Sequence, residues 1–281
     1  MFRRTLPITA YLLIFVTSAT VSAQAAETKS HRHPQLTETF GLGLGVYQAN
    51  RNFVIRADGT VPGEDIDFDD DLSLDDKDTT ASLNFRWRYS ENWSLFGQYW
   101  AVSGTGETVL AEDFEWEDVT FQAGTNASSS SDLAIARIFF GRSFLKDSPG
   151  NEFGLGLGLH LMEMDAAIEG TAIIAGGPAE FRREEASVTF PLPNLGAWYL
   201  YSWSPNWVAS AKADWLSVTL GDYSGSLLSA SVCVNYQISK TFGLGLSYNR
   251  FVLDIEATSS DLSGGIEIGQ SGPRLALTAS F

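Results

Sequence analysis

FGLGLG occupies Phe40–Gly45, returns at Phe153–Gly158, and recurs as FGLGLS at Phe242–Ser247. Glycine at every second position admits two readings. A phosphate-binding fingerprint needs G-x-G-x-x-G between a strand and a helix, with an acidic residue further on. Here the spacing is G-x-G-x-G, and no helical period follows any copy. In a strand, alternate residues share a face. Phe40, Leu42, Leu44 and Val46 then lie on one side, and Gly41, Gly43 and Gly45 on the other. Phe153, Leu155, Leu157, Leu159 and Leu161 separate in the same way from Gly154, Gly156 and Gly158. On this reading the glycines are wall residues that make room for bulky neighbours and ease curvature. Phe96, Trp100, Trp198 and the long arginines are candidates to fill that room. The unequal separation of the copies excludes a simple tandem repeat.

The same period runs through the rest of the chain. Ala81, Leu83, Phe85, Trp87 and Tyr89 alternate with polar residues, as do Leu228 to Ile238 and Leu275 to Phe281. Alternation over nine or more residues makes strands longer than those of an ordinary soluble sandwich. Trp93, Phe153, Trp203, Trp207 and Phe242 stand where strands begin or end. Long alternating strands with aromatic ends fit a membrane barrel, whose apolar face meets lipid and whose polar face lines the lumen.

The predicted fold is therefore all-β, a transmembrane antiparallel up-and-down barrel of about ten strands, with eight or twelve left open. The spans are 40–56, 79–89, 92–103, 132–144, 152–168, 187–203, 206–220, 226–238, 241–256 and 265–281. Tight turns at Ser90-Glu91, Lys146–Asn151, Ser204-Pro205 and Ser239-Lys240 alternate with longer outer connections. The longer ones are Ala57–Asp78, Gly104–Ser131, Glu169–Ala186, Gly221–Gly225 and Ala257–Gly264. An even count returns both termini to the periplasm.

Residues 1–23 read as a secretory signal: Arg3 and Arg4, an apolar stretch from Leu6 to Val16, then small residues at a cleavage site. Residues 24–39 form a polar periplasmic segment, in which His31 and His33 are read as mobile, and 40–281 the single barrel domain. The chain has 18 Lys+Arg against 34 Asp+Glu, a formal charge of −16, which argues against nucleic acid or anionic lipid as a charge-matched partner. The single Cys233 forms no internal disulfide.

Signal, paired strands and an aromatic last residue, Phe281, resemble the small Gram-negative outer-membrane β-barrel proteins. That resemblance implies an outer-membrane location reached through the periplasm, and contact with membrane lipid and lipopolysaccharide. It also implies uptake of the last strand by the barrel-assembly machinery through Phe281.

Inward-facing positions collect charge: Arg86, Arg88, Arg137, Lys212 and Arg274, with Asp214 as the nearest acid and His160 among the glycines. These are candidate lumen-lining residues, either an anion-attracting pore or a filling of ion pairs. Small barrels have interiors that side chains can fill, so the filling is preferred. In the first outer loop Asp67, Asp69, Asp71, Ser73, Asp75 and Asp78 fall at the ligand spacing of a calcium loop, a candidate site for divalent cations. Leu72 occupies the position that requires Gly, and Ile66, Phe68, Leu72 and Leu74 alternate with the acids. Strand extension beyond the membrane is the preferred reading of that stretch. Phe114 and Trp116 lie among acids in the second loop, either as a contact surface or packed on a neighbouring hairpin, and the TNASSSS run after them reads as flexible.

Barrel enzymes need His with acid or Ser partners at the outer rim. Met162 stands where a lipid A deacylase pattern needs Ser. Gly158 stands where an omptin pattern needs Asp. No catalytic residue and no cofactor is assigned. The expected role is structural or in surface recognition. A narrow channel for small, perhaps anionic, solutes is the alternative, with a lipid-modifying enzyme at His160 third.

Overall fold

The computed structural model describes residues 32–58, 65–67, 77–111, 113–116, 119–144, 150–174, 177–258 and 263–281. The signal sequence and residues 24–31 lie outside the described residues. Among the described residues the chain forms a short helix α1 (Pro34–Thr37) and thirteen strands: β1 (Phe40–Asp58), β2 (Asp65–Asp67), β3 (Lys77–Trp87), β4 (Trp93–Val109), β5 (Phe114–Trp116), β6 (Val119–Phe121), β7 (Asn126–Ser143), β8 (Asn151–Ile174), β9 (Glu180–Ser204), β10 (Trp207–Leu220), β11 (Tyr223–Gln237), β12 (Phe242–Thr258) and β13 (Ser263–Ser280). Ten of them close an antiparallel barrel in the order β1-β3-β4-β7-β8-β9-β10-β11-β12-β13 and back to β1. Short β2 pairs with β1, and β5 with β6, which pairs with the end of β8.

Alternation decides which face meets lipid. Leu44 is 65% exposed, Leu157 65% and Leu246 61%, whereas Tyr47, Trp198 and Asp214 on the opposite face are buried. A closed barrel with an apolar outer band belongs in an outer membrane, because closure leaves no unpaired edge in hydrocarbon. Aromatic residues ring its periplasmic end. Phe40 stacks on Trp87 and on Phe281, Trp93 on Phe140, and Trp203 on Trp207, with centroids 5.0–6.1 Å apart. Phe281 also ties the two ends of the barrel together by hydrogen bonds, its N–H donating to Phe40 O at 3.0 Å and its carbonyl accepting from Phe40 N at 2.7 Å.

Strands continue where the sequence was read as loop. β9 has 25 residues, roughly 80 Å of chain at about 3.3 Å per residue. Even at a tilt of about 40° it rises far past an apolar band about 25 Å tall. The serine run Asn126–Ser131 belongs to β7, paired to β4 and β8, and is not a flexible loop. Serine fits either face of a strand, so its run carries no visible alternation. The connection read as Gly221–Gly225 shrinks to a Gly221-Asp222 turn, where Gly221 has φ 62°.

The wall is continuous below and split above. The β3–β4 ladder covers only Ser82–Trp87 against Leu95–Trp100, although both strands run on. The β9–β10 ladder ends at Leu195↔Trp215. Pro191 and Pro193 follow in β9, and the β8 ladder passes both without interruption. Proline has no N–H to donate, so the β10 side is where pairing stops. Above these two gaps stand two leaves, β4-β7-β8-β9 and β10-β11-β12-β13-β1-β3. Apolar side chains fill the space between them: Trp100, Ile135 and Met162 from one leaf, Phe53, Phe251 and Leu253 from the other. Trp100 Nε1 also donates to Gln270 Oε1 across the gap at 3.0 Å. The protein is thus a barrel in its lower half and a two-sheet sandwich in its upper half.

The glycines of the second FGLGLG floor the lower lumen. A Cβ at Gly154 would lie 2.1 Å from Trp198, and one at Gly158 2.8 Å from Asn194. At Gly43, in the first copy, the nearest atom would be 3.7 Å away. Gly154→Ala should therefore cost about 1–3 kcal/mol through overpacking, and Gly43→Ala less than about 0.5. Urea titration of the folded barrel in micelles checks this; equal midpoints for the two variants would refute it.

Candidate functional site

The lower lumen gathers the polar side chains. Arg137 on β7 reaches across to Asp214 on β10 in a two-pronged pair, Nε to Oδ2 at 2.6 Å and Nη2 to Oδ1 at 2.7 Å. The guanidinium lies 4.6 Å from the centre of the Phe139 ring. Gly196 makes room for this pair, since a Cβ there would meet Asp214 Oδ1 at 2.2 Å. His160 is fully buried beside them; its Nδ1 is 3.0 Å from Asn194 Oδ1, and its ring lies against Phe251.

Nearer the periplasm stands a second cluster. Glu152, at the start of β8, is 1% exposed. It accepts from Arg88 Nη2, from Trp198 Nε1 at 3.0 Å and from Ser143 Oγ at 3.1 Å. Arg88 Nη1 donates in turn to the Leu36 carbonyl of the N-terminal segment. Leu36 is buried with Phe96, Phe139, Trp198, Leu200 and Val208.

This corrects the reading of the segment as polar and mobile. Its described part is docked in the periplasmic mouth, and His33 is fully buried, its Nδ1 accepting from Gln35 N at 3.1 Å. The polar sequence hides one apolar anchor, Leu36, whose backbone carbonyl supplies the arginine contact.

Burial, followed by the nearby Arg86 charge, lowers the His33 pKa from 6.5 to about 4. The undocked segment therefore binds a proton more readily than the docked one. His33's contribution to docking is therefore full above about pH 6.5 and is lost as pH falls toward 4. Protection of the residue 33–39 amides, taken relative to their intrinsic exchange rate at each pH, should fall across that window in wild type. It should not in His33→Gln; the same loss of protection in both would exclude His33 as its cause.

Arg86 and the partly buried Lys212 and Arg274 border a cavity of about 120 Å³, with Gly41, Gly43 and Gly245 in its wall. Gly41 and Gly43 of the first copy thus leave space, a Cβ at either having its nearest neighbour at 3.7 Å, while the second copy is filled by Trp198, Phe139 and Asn194. Lys212 lies over the Phe96 ring at 5.4 Å, and Arg274 Nε donates to Ser247 Oγ at 3.2 Å.

Of the acidic-loop residues, Asp69, Asp71 and Asp75 lie outside the described residues. Asp67 has its backbone in β2, where Val54↔Asp67 pairing supports strand extension. Asp78 in β3 accepts from Ser103 N at 2.8 Å, so it serves the β4 backbone. Among the described residues no group of three or more His, Cys, Asp or Glu is placed to hold a metal. Glu163 and Asp165 face outward, on the opposite face of β8 from His160.

Two features escaped sequence reasoning. Glu152 sits beside a turn, and its partners are 64 and 46 residues away. The apolar upper lumen was hidden because its strands carry apolar residues on inward positions, against the expected polarity.

No protein-family model matches the sequence, and no curated protein matches it. Solved structures do. The chain overlays the outer membrane protease OmpT from Escherichia coli with TM-score 0.52 at 13% identity, covering 86% of this chain and 97% of that one. The outer membrane protein OprG from Pseudomonas aeruginosa overlays with TM-score 0.37 at 8% identity, covering 90% and 98%. The toluene transporter TodX of P. putida gives 0.37 at 10%, covering 90% and 93%. The OmpT overlay supports the fold, an outer-membrane β-barrel, and at this identity no activity passes with it.

Proposed function

We propose that the protein is a non-enzymatic, non-conducting outer-membrane barrel that acts structurally or in recognition through the sheet it raises above the membrane. The observation that carries this is the packed upper half. Ile135, Met162 and Ile168 are wholly buried between the leaves, each fully buried apolar side chain contributing about 1.5–3 kcal/mol. An ion path there would have to break the packing that joins the leaves. Lower down, the Arg137–Asp214 pair spans the same lumen.

The extended leaf β4-β7-β8-β9 offers the outward surface. A polar hollow on it is bordered by Thr105, Glu107, Ser128, Ser130, Glu169 and Arg183. Arg183 there is paired with Glu169 at 3.1 Å. Lipopolysaccharide, whose sugars offer many hydroxyls, suits hydroxyl and paired-charge surfaces of this kind. His160 favours no catalytic reading, since its Nδ1 faces the Asn194 amide and no nucleophile or acid is hydrogen-bonded to its ring among the described residues.

Purified barrel in planar bilayers should give no conductance steps. Steps that vanish in Arg86→Gln/Arg88→Gln would overturn the closed reading in favour of an arginine-lined channel.

A further inference from the structure

The lower lumen holds an imbalance that its own residues do not settle. Five cationic side chains, Arg86, Arg88, Arg137, Lys212 and Arg274, share it with two carboxylates, Glu152 and Asp214. Both carboxylates are committed, Glu152 to Arg88 and Asp214 to Arg137. Arg86, Lys212 and Arg274 have no ion-pair partner among the described residues. All three border the same cavity of about 120 Å³, and no aspartate or glutamate lines it.

The donors around this cavity are also left over. Arg86 is 9% exposed, and its Nη2 has no hydrogen-bond partner; neither has Arg274 Nη1 or Asn84 Nδ2. Ser231 and Ser247 add hydroxyls to the wall. Buried donors without acceptors and buried cations without counter-charge are each costly, and together they are rare in a native interior. A water molecule can accept from these groups but cannot balance three charges.

We infer that this cavity is a binding site for a small, multiply charged oxyanion of the phosphate or sulfate class, held by Arg86, Lys212 and Arg274. Arginine suits such a ligand through its planar set of N–H donors, and lysine through its point charge. The glycines help explain why space exists: Gly41 and Gly43 line the cavity, and a Cβ at either would have no neighbour nearer than 3.7 Å. The packed sandwich closes the outer route. Gln35 of the docked N-terminal segment forms part of the cavity wall, so the route from the cavity to the periplasm runs past this segment.

The site is distinct from an open pore: it is a dead-end chamber that binds rather than passes its anion. Its dead-end character rests on the closed reading above, whereas anion binding at Arg86, Lys212 and Arg274 does not, so the bilayer and calorimetric measurements can fail separately.

The test is calorimetry of the folded mature barrel in detergent, freed of phosphate and sulfate, titrated with inorganic phosphate and then sulfate. Saturable heat is expected, with a thermal midpoint that rises with phosphate concentration as binding to the folded state requires. Arg86→Gln and Arg274→Gln should each weaken binding by roughly tenfold to a hundredfold, the range for losing a charged hydrogen bond. Arg142→Gln removes an outward arginine that stacks on Trp93 and should leave the affinity unchanged. Gel mobility before and after heating establishes that each variant is folded. If Arg86→Gln does not fold, Lys212→Met takes its place with the same expected loss. Absence of saturable heat in folded wild type would sink the proposal, as would an equal loss in Arg142→Gln, which would mark the binding as a general surface effect.

Discussion

Arg137→Ala should destabilise the folded barrel by about 3–5 kcal/mol, and Asp214→Ala by a similar amount, because each leaves a buried charge without its partner. The side chains are 5% and 4% exposed, so water contributes little compensation. The double variant Arg137→Met/Asp214→Leu removes both charges and keeps apolar volume, and it should recover most of the loss. Urea-induced unfolding in micelles, followed by tryptophan fluorescence and gel mobility, measures all three. Single variants that cost less than about 1 kcal/mol would mean that the pair is solvated and the lower lumen wet.

Glu152→Ala should match that loss, and for a wider set of reasons. It removes the counter-charge of Arg88 and the acceptors of Trp198 and Ser143 together. About 3–5 kcal/mol is expected for breaking a buried ion pair from one side. The effect should also reach the N-terminal segment, since Arg88 carries the contact to Leu36. Glu152→Gln keeps an oxygen for Trp198 and loses the charge, so it should fall between wild type and Glu152→Ala. Unfolding midpoints give the ranking, and limited proteolysis near residue 33 reports release of the segment. A Glu152→Ala barrel with an unchanged midpoint and a protected segment would show that Glu152 is no hub.

The barrel itself was legible because one physical rule governs most of its length. A wall between lipid and lumen imposes period two, and FGLGLG shows it without ambiguity: Leu44 is exposed on the lipid side and Gly43 lies on the lumen side. The aromatic ends of strands such as Trp203 and Trp207 were legible for a related reason, the girdle at the membrane interface. What lies inside was less so. Arg137 and Asp214 are 77 residues apart, and their pairing depends on barrel width and strand stagger, which no local pattern encodes. In the upper half both faces of several strands carry apolar residues, as with inward Ile135 and Met162, so polarity no longer separates inside from outside. Pro191 and Pro193 were visible, yet their meaning as the end of a ladder depends on which neighbour each nitrogen faces.

The two gaps in the wall have a thermal consequence. Below them, every strand is joined to its neighbours by backbone ladders and surrounded by lipid. Above them, the two leaves are joined to each other chiefly by apolar side chains such as Trp100 and Phe251. Apolar attraction weakens on cooling, whereas a closed ring of backbone bonds has no such dependence to the same degree. The upper part is therefore the cold-sensitive part of the molecule: chilling loosens the grip of one leaf on the other while the ring in the membrane stays shut.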